Sequence, residues 1–174
     1  MSIPGSSAPL LLAQQPEAEA YSIDRSLRFN SSDSAYLSKN FASDGDRKTW
    51  TYSAWTKRSY NASFYQSLLI NRDAASYNLR INDPTDQKFY LAFASGVNLS
   101  PTPVYRDYSA WTHVVIVYDS TDATTTDRLR LYINGERVTT FDSANYPSLN
   151  LDSEFNKAGN FGIGYFNANT AFDG

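Results

Sequence analysis

Between Trp111 and Phe141 the chain reads as three strands in succession. In Trp111–Asp119 both alternating faces are apolar, with Trp111, His113, Val115 and Val117 on one and Val114, Ile116 and Tyr118 on the other. That is the pattern of a mid-sheet strand covered on both sides, and it predicts that Trp111, His113 and Val114–Tyr118 are core residues. Arg128–Ile133 alternates cleanly, with Leu129, Leu131 and Ile133 opposed to Arg128, Arg130 and Tyr132. Asn134-Gly135 then signals a two-residue hairpin, because a type I′ turn needs positive φ at both central positions. The turn sets Ile133 opposite Glu136 and Leu131 opposite Val138.

The same alternation recurs along the chain. Strands are predicted at Ser26–Asn30, Ala35–Lys39, Lys48–Arg58, Ser67–Asn71, Tyr77–Asn82, Gln87–Ala94 and Asn160–Phe166. In Lys48–Arg58, Trp50, Tyr52 and Ala54 share one face and Trp55 takes the other, which suggests a bulge or burial on both sides. The polar connections Arg72–Ser76 and Asp83–Asp86 are short, so the strands on either side form a meander. Gly96–Tyr108, with Pro101 and Pro103, and Asp142–Ala158 read as loops. The predicted fold is all-β: roughly nine or ten short antiparallel strands in a two-sheet β-sandwich or jelly roll. The tetrapeptide Ser-Ala-Trp-Thr occurs at 53–56 and again at 109–112. Each Trp is expected to fill an equivalent core position, where a large ring contributes most to packing.

Residues 1–24 have no sustained period. They hold three Pro, small residues, Glu17 and Glu19, and one apolar triplet, Leu10-Leu11-Leu12. Such a segment stays disordered or orders against a partner, so we expect an N-terminal arm at 1–24, with Leu10, Leu11 and Leu12 as its attachment plug, and a folded domain at 25–174. Deleting the arm is expected to leave that domain folded but unable to join its assembly.

Composition agrees with a sheet-and-loop protein: aromatics make up 15% of 174 residues and Glu is scarce. Net charge is −3 with both signs dispersed, which disfavours nucleic acid as a partner. There is no Cys, hence no disulfide framework or Cys-ligated zinc. No apolar run approaches the roughly 20 residues of a membrane-spanning helix. The Asn-X-Ser matches at Asn30, Asn61 and Asn98 carry no meaning in a bacterial host.

Several segments resemble the laminin-G-like (concanavalin A-like) jelly-roll domain. They are Ser26-Leu27-Arg28-Phe29, Ala35-Tyr36-Leu37-Ser38, the strand Lys48–Arg58, Trp111-Thr112-His113-Val114-Val115, Leu131-Tyr132-Ile133-Asn134-Gly135-Glu136 and Ile163-Gly164, in that order. The Pro/Ala-rich leader ending in Tyr21–Phe29 is similar to virion proteins of tailed bacteriophages, of marine and cyanophage type. The resemblance covers residues 21–174 and implies a jelly roll whose final strand would follow Phe172-Asp173-Gly174. That strand is therefore expected to be missing beside Ser26–Asn30. The chain is the front of a longer polypeptide, or a neighbouring chain or the leader fills the place. The fold serves lectins, glycosidases, adhesion modules and virion parts alike.

Glycoside hydrolysis needs two carboxylates about 5–5.5 Å apart (retaining enzymes), commonly on one strand face. The four Glu do not provide them: Glu17 and Glu19 lie in the arm, Glu136 in the hairpin and Glu154 in a loop. His113 is the single His and is expected to be a core residue without a nucleophile beside it. No catalytic residue is assigned. Some domains of this type hold calcium at a loop rim, and Asp44, Asp46, Asp119, Asp122 and Asp127 are hard ligands, but no dense ligand run supports Ca2+, so no cofactor or metal ligand is assigned. Tyr60, Phe64, Tyr65, Tyr105 and Tyr108 lie in or beside loops and are the candidate glycan contacts, offering apolar ring faces beside polar groups. The expected function is a non-enzymatic, multi-copy virion protein: a tail or tail-fibre appendage with a lectin-like module, partnered by other virion proteins and a host-surface glycan. A capsid-decorating or head-fibre protein, and a free carbohydrate-binding or glycan-hydrolysing protein, are the alternatives.

Overall fold

The computed structural model describes residues 25–59, 65–74, 76–81, 86–164, 172 and 174. The arm with Leu10, Leu11 and Leu12, and the loop aromatics Tyr60 and Phe64, lie outside the described residues. Within them the alternating segments form eleven strands: β1 (Leu37–Phe41), β2 (Thr49–Thr56), β3 (Gln66–Asn71), β4 (Asn78–Ile81), β5 (Phe89–Ala94), β6 (Val97–Pro101), β7 (Thr112–Asp119), β8 (Leu129–Ile133), β9 (Glu136–Arg137), β10 (Phe141–Asn145) and β11 (Gly159–Ile163). They pair antiparallel into two sheets. One has seven strands in the order β1-β11-β3-β4-β5-β6-β10, the other four in the order β2-β7-β8-β9. This is the expected all-β sandwich.

Alternation places one face of each sheet in a shared core. Leu79, Leu91 and Leu99 stand side by side across β4, β5 and β6 and are fully buried. They oppose Val114, Ile116 and Tyr118 of β7 and Leu129 and Leu131 of β8. Each such side chain contributes about 1.5–3 kcal/mol on leaving water. Trp50 joins the layers: its ring stacks on Tyr118 at 5.4 Å and meets the edge of Phe93 at 5.2 Å, and its Nε1 donates to Ser153 Oγ at 2.8 Å. The β8–β9 hairpin follows its turn chemistry, with Asn134 at φ 52° and Gly135 at φ 86°. Ile133 faces Glu136, and Val138 N donates to Leu131 O at 2.9 Å.

Six expectations are corrected. β2 carries no bulge: it pairs with β7 without interruption from Thr49–Asp119 to Thr56–Thr112. Trp55 is an odd number of residues from Trp50 and so points outward, as do His113 and Trp111. Both Trp55 and Trp111 are 49% exposed, not buried. β7 does lie mid-sheet, but its outer face is half-covered only, because outward rings shield one another: Trp55 stacks on His113 at 4.8 Å. Val97–Pro101, read as loop, is β6; Gly96 at φ 74° makes the tight turn that starts it. Phe141–Asn145, of which Asp142–Asn145 read as loop, is the edge strand β10, which hid because four of its five residues are exposed. Ser26–Asn30 is not a strand of either sheet. Within it Phe29 donates to Gly174 O at 2.7 Å and accepts from Gly174 N at 3.2 Å, and Asn30 O accepts from Asp33 N and Ala35 N.

Candidate functional site

The seven-stranded sheet presents an outer face whose residues are fixed by the inward leucines. Since Leu79 and Leu91 point in, Arg80 of β4 and its cross-strand neighbour Tyr90 of β5 point out. The Arg80 guanidinium lies 4.4 Å from the Tyr90 ring centre and 4.4 Å from that of Tyr65. Two aromatic faces therefore hold one planar cation. Desolvation pulls the Arg80 guanidinium below its usual value, while the neighbouring tyrosines and Asp86 oppose the shift. It stays charged, as arginine does in proteins.

The next outward row is Asn78, Ala92, Asn98 and Asn145, adjacent across β4, β5, β6 and β10. Asn98 Oδ1 accepts from Asn145 Nδ2 at 3.2 Å and from Ser143 Oγ at 3.4 Å, which fixes the amide orientation. Ile70, paired with Asn78, is fully buried although it shares this outward row, and Ala92 is nearly so. On the far side Gly162 keeps the floor low: a Cβ there would stand 3.1 Å from Arg72 Cδ and 3.3 Å from Ile70 Cγ2. Arg72 in turn lies 4.2 Å from the centre of the Tyr36 ring. A floor of small or buried residues is thus flanked by two Arg–Tyr clusters and an amide ladder. Ring faces and fixed donors of this kind suit the C–H faces and hydroxyls of a sugar.

The candidate tyrosines separate. Tyr65 belongs to this face and is exposed. Tyr105 and Tyr108 do not: Tyr105 packs on Phe89 at 4.8 Å, and the Arg58 guanidinium lies 4.3 Å from the Tyr108 ring centre and donates to Tyr105 O. They close one end of the sandwich around a buried arginine. Arg80, Tyr90, Asn98 and Asn145 were not named as ligand contacts from sequence. The signal for Arg80 and Tyr90 was present, since each lies between inward apolar residues, but nothing in one strand says which neighbours line up beside it.

His113 is not a core residue. Its Nε2 is 2.9 Å from Ser53 Oγ on the open outer face of the four-stranded sheet. A nucleophile–base pair needs an orienting group and a water-excluded site. Here the ring rests on Trp55, and no carboxylate bonds it among the described residues. Carboxylates elsewhere brace turns. Asp46 is held below the usual range by bonds from Thr49 and Lys48, Asp73 by Asn160, Asp107 by Ser109, and Asp142 by Lys88 and Thr102. Asp119 accepts from Thr121 and Asp122 from Thr124; Asp127 pairs with Arg137, and Asp44 with Arg47 at 3.5 Å. A glycosidase acid needs the opposite shift. No cluster of three or more His, Cys, Asp or Glu that could hold a metal occurs among the described residues.

Two antiparallel sheets sharing one core define a two-layer β-sandwich of the jelly-roll class. The sequence profile of the concanavalin A-like lectin/glucanases superfamily matches residues 29–174, and the chain belongs to that superfamily. Among solved structures it is similar to a native heptameric SAP-like pentraxin from Limulus polyphemus, with 14% identity and a TM-score of 0.46 over 80% of this chain. The chain spans 65% of the length of that pentraxin. No curated protein matches the sequence.

Proposed function

We propose that the chain is a non-enzymatic glycan-binding module, and that it serves a bacteriophage virion as a tail or tail-fibre appendage held by its N-terminal arm in a multi-copy assembly. One observation carries the glycan reading: Arg80 clamped between Tyr65 and Tyr90, beside the Asn98–Asn145 amides, on the outer face of the seven-stranded sheet. Membership of a superfamily of lectins and glucanases supports it. The virion setting rests on the likeness of the leader and Tyr21–Phe29 to tailed-phage proteins. The test is a glycan array probed with the purified chain, followed by titration of its best ligand. Arg80→Ala and Tyr65→Ala should each weaken binding by about tenfold or more, as central anchors do. Unchanged binding in both variants would move the site elsewhere. Antibody labelling of intact virions then separates a tail position from a capsid-decorating one.

A further inference from the structure

The outer face of the four-stranded sheet lies across the core from the Arg80 face, and its rows follow from strand register. Trp55 is paired with His113; the next row is Ser53, Val115, Tyr132 and Arg137; the one after it is Thr51, Val117 and Arg130. From His113 to Val117 along β7 is about 13 Å at the rise of a strand. At the near end Trp55 stacks on His113 with the rings 15° apart, and Ser53 Oγ, 2.9 Å from His113 Nε2, steadies the imidazole. One face of the indole is thus braced while the residue stays half exposed. It is a flat apolar surface fixed before any ligand arrives. Partly buried Val115 and Val117 continue the apolar floor, between the Thr51 and Ser53 hydroxyls of β2 and Tyr132 of β8.

Arg130 stands at the far end. Its charged neighbours are committed: Arg137 pairs with Asp127, Arg128 donates to the carbonyls of Asp122, Ala123 and Pro147, and Asp119 accepts from Thr121. Arg130 has no carboxylate partner among the described residues, and its Nε is buried without a hydrogen bond. A partly buried cation without a counter-ion is costly, and an arriving carboxylate relieves that cost. The backbones of β7 and β8 are already paired on both sides, so the floor offers side chains only and no ladder for an extended peptide. We propose that this face binds a short acidic oligosaccharide, with one pyranose stacked on Trp55 and a uronic carboxylate further along the chain held by the Arg130 guanidinium. The site is separate from the Arg80 face and holds whether or not that face binds a glycan.

The test titrates the whole chain calorimetrically with β-1,4-linked tetraglucuronate and with cellotetraose, the same all-equatorial chain with and without carboxylates. Tetraglucuronate should bind at least about tenfold more tightly. Trp55→Ala should weaken both by about tenfold or more, and Trp55→Phe, which keeps a ring, should lose less. Arg130→Gln should bring the two affinities together, and Arg130→Lys should keep part of the preference. If an Arg130 variant fails to fold, the Trp55 indole N–H resonance of the unaltered chain, assigned through Trp55→Phe, decides: tetraglucuronate should shift it saturably. Equal affinity for the two sugars, no binding of tetraglucuronate, or an unmoved Trp55 resonance overturns the proposal. So does binding that Arg80→Ala abolishes and Trp55→Ala spares, which assigns the sugar to the seven-stranded sheet. Hexaglutamate binding as tightly as tetraglucuronate overturns it equally, since the face would then read charge and not sugar.

Discussion

Trp50 and Trp55 lie on one strand and differ in the parity of their positions, and parity decides what each contributes. Trp50 is locked between Tyr118, Phe93 and Ser153, so Trp50→Ala should cost about 3–5 kcal/mol in urea unfolding, the range for large-to-small core changes. Trp111→Ala, on the open face, should cost no more than about 1 kcal/mol. Equal losses for the two would refute the assignment of faces. The repeated tetrapeptide misleads here because local sequence gives the alternation but not which side is covered. Ionisable residues predict the pH limits. Burial pushes the Tyr52 phenol up to about 12, above the value near 10 of an exposed tyrosine. A neutral phenol stabilises the fold fully below about pH 10, and that contribution is lost as pH rises towards about 12. Asp46, Asp73, Asp107 and Asp142 run the other way: their lowered values stabilise the fold above about pH 4 and the benefit is lost as pH falls below it. Melting temperature against pH should fall at both ends. A Tyr52→Phe variant that keeps the alkaline limb unchanged would show that Tyr52 does not set it.

At the scale of elements, legibility follows how strongly a strand alternates. β4, β5 and the β8–β9 hairpin were readable because their inward positions are apolar and the hairpin turn carries characteristic residues. β10 was not: an edge strand outside the core needs few apolar residues, and its pairing with β6 is set by the partner. β6 was masked by Pro101, which a strand tolerates at its end. The candidate glycan face was legible only in part, since Tyr65 could be named from its position but its convergence with Arg80 and Tyr90 depends on cross-strand register. The start of β11 offers a sharp check on such register. Gly159 has φ 135°, and a Cβ there would stand 2.5 Å from Asp73 Oδ2. Asp73 cannot retreat cheaply, because it accepts from Asn160 N at 2.8 Å and Asn160 Nδ2 at 3.0 Å. Gly159→Ala should cost about 2 kcal/mol or more, from backbone strain plus the broken clamp. Chemical denaturation of the variant decides it: a loss below about 0.5 kcal/mol would mean that the clamp is not what holds β11.

The two sheets have separate outer surfaces but a single interior, and that determines how the whole molecule should unfold. Trp50 and Tyr118 come from the four-stranded sheet, Phe93 and Phe161 from the seven-stranded one, and Phe155, from a loop, contacts Trp50, Phe93 and Phe161 at 5.8, 5.1 and 5.6 Å. Neither sheet can leave without exposing the other's apolar face, so no half of the sandwich is a stable unit. We expect residues 25–174 to unfold in one cooperative step. The three tryptophans allow a direct check, because Trp55 and Trp111 can be replaced by Phe at little cost, leaving Trp50 as the reporter of the interface between the sheets. In that variant the urea transition followed by Trp50 fluorescence should coincide with the one followed by far-UV circular dichroism, with the same midpoint and slope. A fluorescence transition that precedes loss of β-signal would mean that the sheets part before they melt. The shared aromatic core would then not be the contact that binds the two layers into one domain.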